Sequence, residues 1–307
     1  MKSFYPIVVL LIICCKSTLF AQTNFEGILT TRVTMAGIDL STITEDIDYQ
    51  KGNIPEQVAK LYSTIPAQDL ARMQKMMEEN PMMGLAMVMT PPKATIQVKG
   101  PVAYIKTRGL GYEIQHYHNT QTNEAYLYTA SLINPTEAVT AAYKPSEGYE
   151  ALFKDEKRIT TDKFKVERST KTLDVAGYPC SISTYTPKTI PASSIAETAG
   201  LEIHKLVVYS NKDLPQGINF SHPYYLPEEN GIMRIDIYLS ESTEPTMVYE
   251  MTDVKKTAIS DSSLTPKKTE PIYTLTDMNY SMKVLGILMG SMAAMEMGDD
   301  EGDNLEN

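Results

Sequence analysis

The chain has 307 residues, 42% of them hydrophobic and 21% charged, with a net charge of −10 at neutral pH. It can bury the core of one large or two ordinary domains, which excludes a globally disordered chain. Its acidity repels polyphosphate and excludes nucleic acid as a natural partner.

The first element in chain order is a leader. Lys2 supplies a positive n-region, Val8 to Cys15 a short apolar h-region, and Ala21 before Gln22 a cleavage point, giving a signal peptide over 1–21. The apolar run is shorter than the roughly 20 residues of a bilayer span, so no transmembrane anchor is expected after cleavage. Acylation at Cys14 or Cys15 is the lesser alternative, because "LIICC" has no small residue ahead of the first cysteine. The mature chain is therefore expected in the periplasm or secreted. Loss of Lys2 and Lys16 takes its charge to about −12, and its single remaining cysteine, Cys180, permits no intramolecular disulfide.

From Phe25 the sequence turns to strands: "FEGILTTRVTMAGIDLSTIT" is dense in Thr, Ile and Val, with Gly37 at a turn or bulge. A helical insertion over about 55–90 follows, in which Leu70, Met73 and Met77 recur at helical spacing and Pro81 breaks or kinks the run. A second strand-rich block starts at Pro91-Pro92, is punctuated by Gly100-Pro101 and Gly109, and forms a hairpin over "NTQTN". A third block runs from Phe164 to about Val254. Within it, "MRIDIYL" sets Met233, Ile235, Ile237 and Leu239 on one face against Arg234, Asp236 and Tyr238 on the other. That alternation belongs to an antiparallel sheet with one face covered and one wet. Asn230-Gly231 just ahead signals a turn. A C-terminal helix over about 278–297 carries Leu285, Leu288, Met292 and Met295 on one stripe, and 298–307 read as a disordered acidic tail. With no repeat and no clear boundary, 22–295 reads as one β-rich domain.

"TLDVAGYPCSISTY", "LVVYSNKDLP", "NGIMRIDIYL" and "EMTDVKKTAI", with the entry strand "ATIQVKG", resemble a group of exported envelope proteins built on a domain of unknown function and related to the GLPGLI family. In that group an Ala-Gly-Tyr-x-Cys strand precedes a strand ending in an Asp-Leu-Pro-type turn. The resemblance spans Phe25 to about Tyr273. It implies the architecture of the LolA/LolB lipoprotein carriers: a mainly β (α+β) fold, a curved antiparallel half-barrel with helices packed on its concave face. It transfers no catalytic residue. The Met-rich helices and acidic tail depart from the group's pattern.

The methionines are the most unusual feature. Of 18, seven fall between Met73 and Met89 and six between Met278 and Met297. Flexible, polarizable Met fills irregular cores or lines adaptable apolar surfaces. Candidate ligand-binding residues are Met73, Met76, Met77, Met82, Met83, Met87, Leu285, Leu288 and Met292, with a lipid or lipidated polypeptide as partner. The alternative is metal binding, with Cu(I) held by the Met clusters or Zn²⁺ by His116 and His118. Strand alternation puts both imidazoles on one face, with Glu124 across the hairpin as a third ligand. The simpler expectation is a solvent-facing pair near a loop. Cys180 with a histidine base would suit a hydrolase, but no local signature joins it to His116, His118, His204 or His222, so it reads as a small core residue. No hydrolase, zincin, P-loop or dinucleotide motif is present. The sequence therefore points to a non-enzymatic envelope protein with no cofactor.

Overall fold

The computed structural model describes residues 25–79, 90–147, 159–189, 203–222, 224 and 226–296. The expected signal peptide and acidic tail, and Pro81, Met82, Met83 and Met87, lie outside them.

One curved, unclosed sheet dominates. Its strands are β1 (Glu26–Met35), β2 (Ile38–Asp39), β3 (Lys93–Lys99), β4 (Val102–Arg108), β5 (Tyr112–Asn119), β6 (Glu124–Ser131), β7 (Ala138–Tyr143), β8 (Phe164–Val175), β9 (Tyr178–Pro187), β10 (Lys205–Asn211), β11 (Gly231–Tyr238), β12 (Met247–Lys256) and β13 (Ile272–Thr274). The order β13-β7-β6-β5-β4-β3-β1-β12-β11-β10-β9-β8, with β2 beside β1, places β1 between two antiparallel meanders. Among the described strands only the β13–β7 pair is parallel. Both edges are blunted. β13 is three residues long, and β8 carries Lys165, Glu167, Arg168 and Lys171 and a register irregularity between Arg168 and Thr172.

The turns follow residue chemistry. Ala36-Gly37 and Ala176-Gly177 both take positive φ, the geometry of tight hairpins, and Asn123 does so at the end of "NTQTN". Gly231 is required for a different reason: a Cβ there would stand 2.6 Å from Leu214 Cβ, so close approach, not turn geometry, fixes glycine at this turn-like Asn-Gly.

β1 alternates strictly, burying Gly27, Leu29, Thr31, Val33 and Met35 while Ile28, Thr30, Arg32 and Thr34 face outward. Cross-strand pairing carries this inner face along a row, Leu29–Ile96–Ile105–His116–Leu127–Ala141, across β1 and β3 to β7. Toward the other edge the same core takes in Tyr249, Ile235, Val208 and Cys180. On the outer face, Arg32 and Arg234 both pair with Glu250, and Arg234 Nε donates to Asp236 at 2.6 Å. The polar side of "MRIDIYL" is thus a charge ladder in which Asp236 is itself buried.

The described residues also form the α-helices α1 (Ser41–Glu45), α2 (Ile54–Tyr62), α3 (Ala67–Glu79) and α4 (Met278–Glu296). α3 sinks Met73 into the main core and rests Leu70, Met76 and Met77 on it. α4 buries Tyr280 and Ile287 against Tyr112, Val139 and Ala141, with Val284 and Leu288 packed beside them. Since Ala141 belongs to the row that starts at Leu29, α3 and α4 cover one face of the sheet. The stripe expected on α4 is split: Leu288 packs inward, whereas Leu285 is exposed with Met278, Met282 and Met289. A helix apolar all round does not specify by period which side meets the sheet. No described helix is long and apolar enough to cross a membrane.

Candidate functional site: a histidine-lined cavity under the 216–222 segment

A 3-10 segment, Gln216–Ser221, crosses the inner face over β3, β4 and β11. Local hydrogen bonds hold it there. The buried Asn219 accepts from Ile232 N at 2.7 Å and donates to the Asn230 carbonyl at 3.0 Å, Gln216 donates to the Glu228 carbonyl at 2.9 Å, and Gly231 N donates to the Leu214 carbonyl at 3.0 Å. These bonds present Phe220, Ser221 and His222 to the sheet.

Beneath them lies a cavity of about 220 Å³. Val33, Ala94, Ile105, Ile114, Leu127, Pro91 and Phe220 give it apolar walls; Thr31, Thr90, Thr107, His116, Ser221, His222 and Tyr249 supply the polar atoms. Among the described residues no charged side chain lines it. Phe220 wedges between the two β5 histidines, its ring centroid 5.0 Å from His116 and 4.3 Å from His118.

Most of the polar groups are paired. His116 Nε2 meets the Tyr143 hydroxyl at 2.6 Å, and the Ser221 and Tyr249 hydroxyls bond each other. His222 differs: at 4% exposure, neither ring nitrogen has hydrogen-bond geometry with a partner among the described residues. An orphaned buried polar group costs about 1–3 kcal/mol, so such groups are rare in native structures. Desolvation pushes His116 down to about 3, with the neighbouring His118 adding to the effect, and pushes His118 to about 4 and His222 to about 3. The nearby Tyr224 backbone favours the charged form of His222, but burial outweighs it. All three imidazoles are therefore neutral at pH 7, each with one donor and one acceptor nitrogen.

The expected solvent-facing His116 and His118 are instead buried, at 6% and 5% exposure, because β5 is an interior strand whose inner face is roofed by Phe220. Glu124 does not join them: it pairs across the hairpin with Asn119, whose parity places it on the opposite face. Among the described residues no group of three or more His, Cys, Asp or Glu is placed to hold a metal. Of the other residues singled out in the sequence, Met73 is in the core at 4% exposure, Met76, Met77 and Leu288 are half-buried, and Leu285 is exposed. Met292 lies in α4, but its side chain is outside the described set. Cys180 is fully buried, its thiol donates to the Tyr178 carbonyl at 3.3 Å, and burial pushes it up to about 11. It packs as a core thiol. The residues that build the cavity, Phe220, Ser221, His222 and Tyr249, lie on two distant segments; the only sequence signal was the aromatic-rich "NFSHPYY" around one of just four histidines.

A larger groove, about 420 Å³, opens on the outer face between the β8–β9 hairpin and the charge ladder. Its arginines, Arg32 and Arg234, are already engaged by Glu250.

No family model and no curated protein matches the sequence. Similar solved structures include PNGF-II, at TM-score 0.36 and 10% identity over 86% of this chain and 33% of that one. MucB in complex with MucA(peri) follows at TM-score 0.28 and 9% identity, covering 54% of this chain and 49% of that one. A putative outer membrane lipoprotein-sorting protein domain from Vibrio parahaemolyticus has TM-score 0.17 and 10% identity, covering 56% of this chain and 83% of that one. The chain spans about a third of the length of PNGF-II. At such TM-scores these likenesses carry no argument, and function is argued from the chain's own residues.

Proposed function

We propose that the chain is an exported, non-enzymatic envelope protein, LolA-like in build, that holds an apolar segment of a lipid or lipidated polypeptide on the concave, helix-bearing face of its sheet. The observation that carries this reading is the cavity under Phe220 and His222. At about 220 Å³ it exceeds the ~150 Å³ apolar cavity that admits benzene, yet falls below the ~300–1,000 Å³ of pockets that enclose drug-sized ligands. Its size suits part of an acyl chain. Each buried methylene contributes about 0.8 kcal/mol, so five contribute about 4.

The surrounding chemistry supports binding over catalysis. Histidines held neutral down to pH about 3 or 4 are poor bases at neutral pH, and the Cys180 thiol is kept protonated. The remainder of the ligand is assigned to adaptable apolar surface from Met76, Met77, Met82, Met83, Met87, Leu288 and Met292, whereas Met73 serves the core and Leu285 faces away from the sheet. The leader read in the sequence over 1–21 supports a mature chain in the periplasm or outside the cell. No observation favours the Cu(I) or Zn²⁺ alternative.

The test is transfer from phosphatidylethanolamine vesicles. Mature protein is incubated with vesicles, repurified and extracted, and bound lipid is measured by mass spectrometry. Wild type should return close to one lipid per chain. Ala94→Leu, which fills the cavity from its wall, should return little; equal recovery from both proteins, or none from either, would contradict the reading.

A further inference from the structure

We infer that the ligand segment held in this cavity carries one uncharged hydrogen-bonding group, a hydroxyl, ester or amide, and that the ring of His222 reads it. The inference rests on the apolar-ligand reading and adds the chemical class that the site selects.

The polar groups around the cavity are disposed for one guest atom. His116 is committed to Tyr143, and Ser221 to Tyr249. His222, at 4% exposure, has no hydrogen-bond geometry to a partner at either ring nitrogen among the described residues, although the Tyr224 backbone lies near enough to favour its charged form. Asn219, three residues earlier, is clamped to Asn230 and Ile232, and the His222 ring packs 5.8 Å from that of Tyr249. A site built to hydrogen-bond a ligand group discriminates strongly against an analogue lacking it, because its own polar atom is then left unpaired.

Charge is selected against. Among the described residues no carboxylate, ammonium or guanidinium lines the cavity to compensate an ion, and its polar lining beside His222 includes the neutral Tyr249, Ser221 and His116. An ammonium head would be desolvated without a counter-ion. A carboxylate would have to carry in a proton, since burial disfavours an imidazolium here. A neutral imidazole offers one donor and one acceptor, which matches an alcohol, ester or amide without proton transfer.

The experiment is an NMR titration of the mature protein with 1-hexanol, hexane, hexanoate and hexylamine at pH 7.5. Hexanol should bind about tenfold more tightly than hexane, the effect of one net hydrogen bond. Hexanoate and hexylamine should not saturate. His222→Phe should reduce hexanol to the level of hexane while hexane is retained; His222→Gln, which keeps a donor and an acceptor, should preserve part of the preference and guards against a folding failure in the first variant. Equal binding of hexanol and hexane by wild type, or tightest binding of hexanoate at pH 7.5, overturns the inference while leaving the apolar-ligand reading standing. Failure of every probe, hexane included, overturns that reading as well.

Discussion

The hydroxyl of Tyr185 donates to Glu228 Oε1 across 2.5 Å, with Tyr185 fully buried and Glu228 at 2% exposure. Ser210 Oγ donates to the other oxygen at 3.4 Å, and the largely exposed Arg168 guanidinium stands 3.9 Å away. The Glu228 carbonyl in turn receives Gln216, so this pair ties β9 to the segment that bears Phe220 and His222. Tyr185→Phe removes a donor from a buried carboxylate and should cost about 1–3 kcal/mol in urea unfolding. Glu228→Gln, which keeps an acceptor for Tyr185, should cost less, and the double-mutant cycle should show coupling. A Tyr185→Phe variant as stable as wild type would refute the assignment of this pair as the anchor of the segment.

Acid sensitivity follows from the buried histidines. Their folded values of about 3, 4 and 3 lie well below the ordinary 6.5. Between those limits the unfolded chain binds protons that the folded chain does not, so this stability is complete above pH 6.5 and is lost as pH falls. With all three groups in the window, the slope reaches about 4 kcal/mol per pH unit. Urea midpoints should fall steeply between pH 6.5 and 4, and His222→Phe should remove about a third of that slope. Midpoints unchanged from pH 7.5 to 5 would show that the histidines titrate freely.

Much of the sheet was legible because its signals are local. Met233, Ile235 and Ile237 enter the core as the alternation of "MRIDIYL" requires, although the opposite face is not the wet one expected, since Asp236 and Tyr238 are buried too; the helical spacing of Leu70, Met73 and Met77 is realised in α3. What sequence could not supply was long-range. β1 lies between β3 and β12, a pairing that joins residues more than two hundred positions apart. The burial of His116 depends on Phe220 reaching it from a distant segment, and alternation fixes which residues share a face, not whether that face is roofed. On α4 the apolar residues encircle the helix, so Leu285 and Leu288 could not be sorted into outward and inward before the sheet was in place.

Cys180 should be inert while the protein is folded. A fully buried thiol pushed up to about 11 presents almost no thiolate at pH 8. Thiol reagents should label it only on the timescale of unfolding, and Cys180→Ala should cost on the order of 1 kcal/mol. Rapid stoichiometric labelling of native protein would restore a reactive role.

The methionines should divide by burial. Met73→Ala opens a hole in the main core and should cost about 2–5 kcal/mol. Met282→Ala, at a position 62% exposed, should change stability by less than about 0.5 kcal/mol. Thermal unfolding of the two variants checks this, and a similar cost for both would mean that the outer side of α4 is covered in the folded protein.

The most direct test of the central claim is to locate the ligand. Methyl-labelled mature protein is titrated with phosphatidylethanolamine in a membrane mimetic, and shift changes are mapped on Val33, Ile105, Ile114 and Leu127 inside the cavity and on Leu285 and Met289 outside it. The cavity methyls should move together and saturate with one ligand. Changes confined to the outer side of α4, or none at all, would contradict the account.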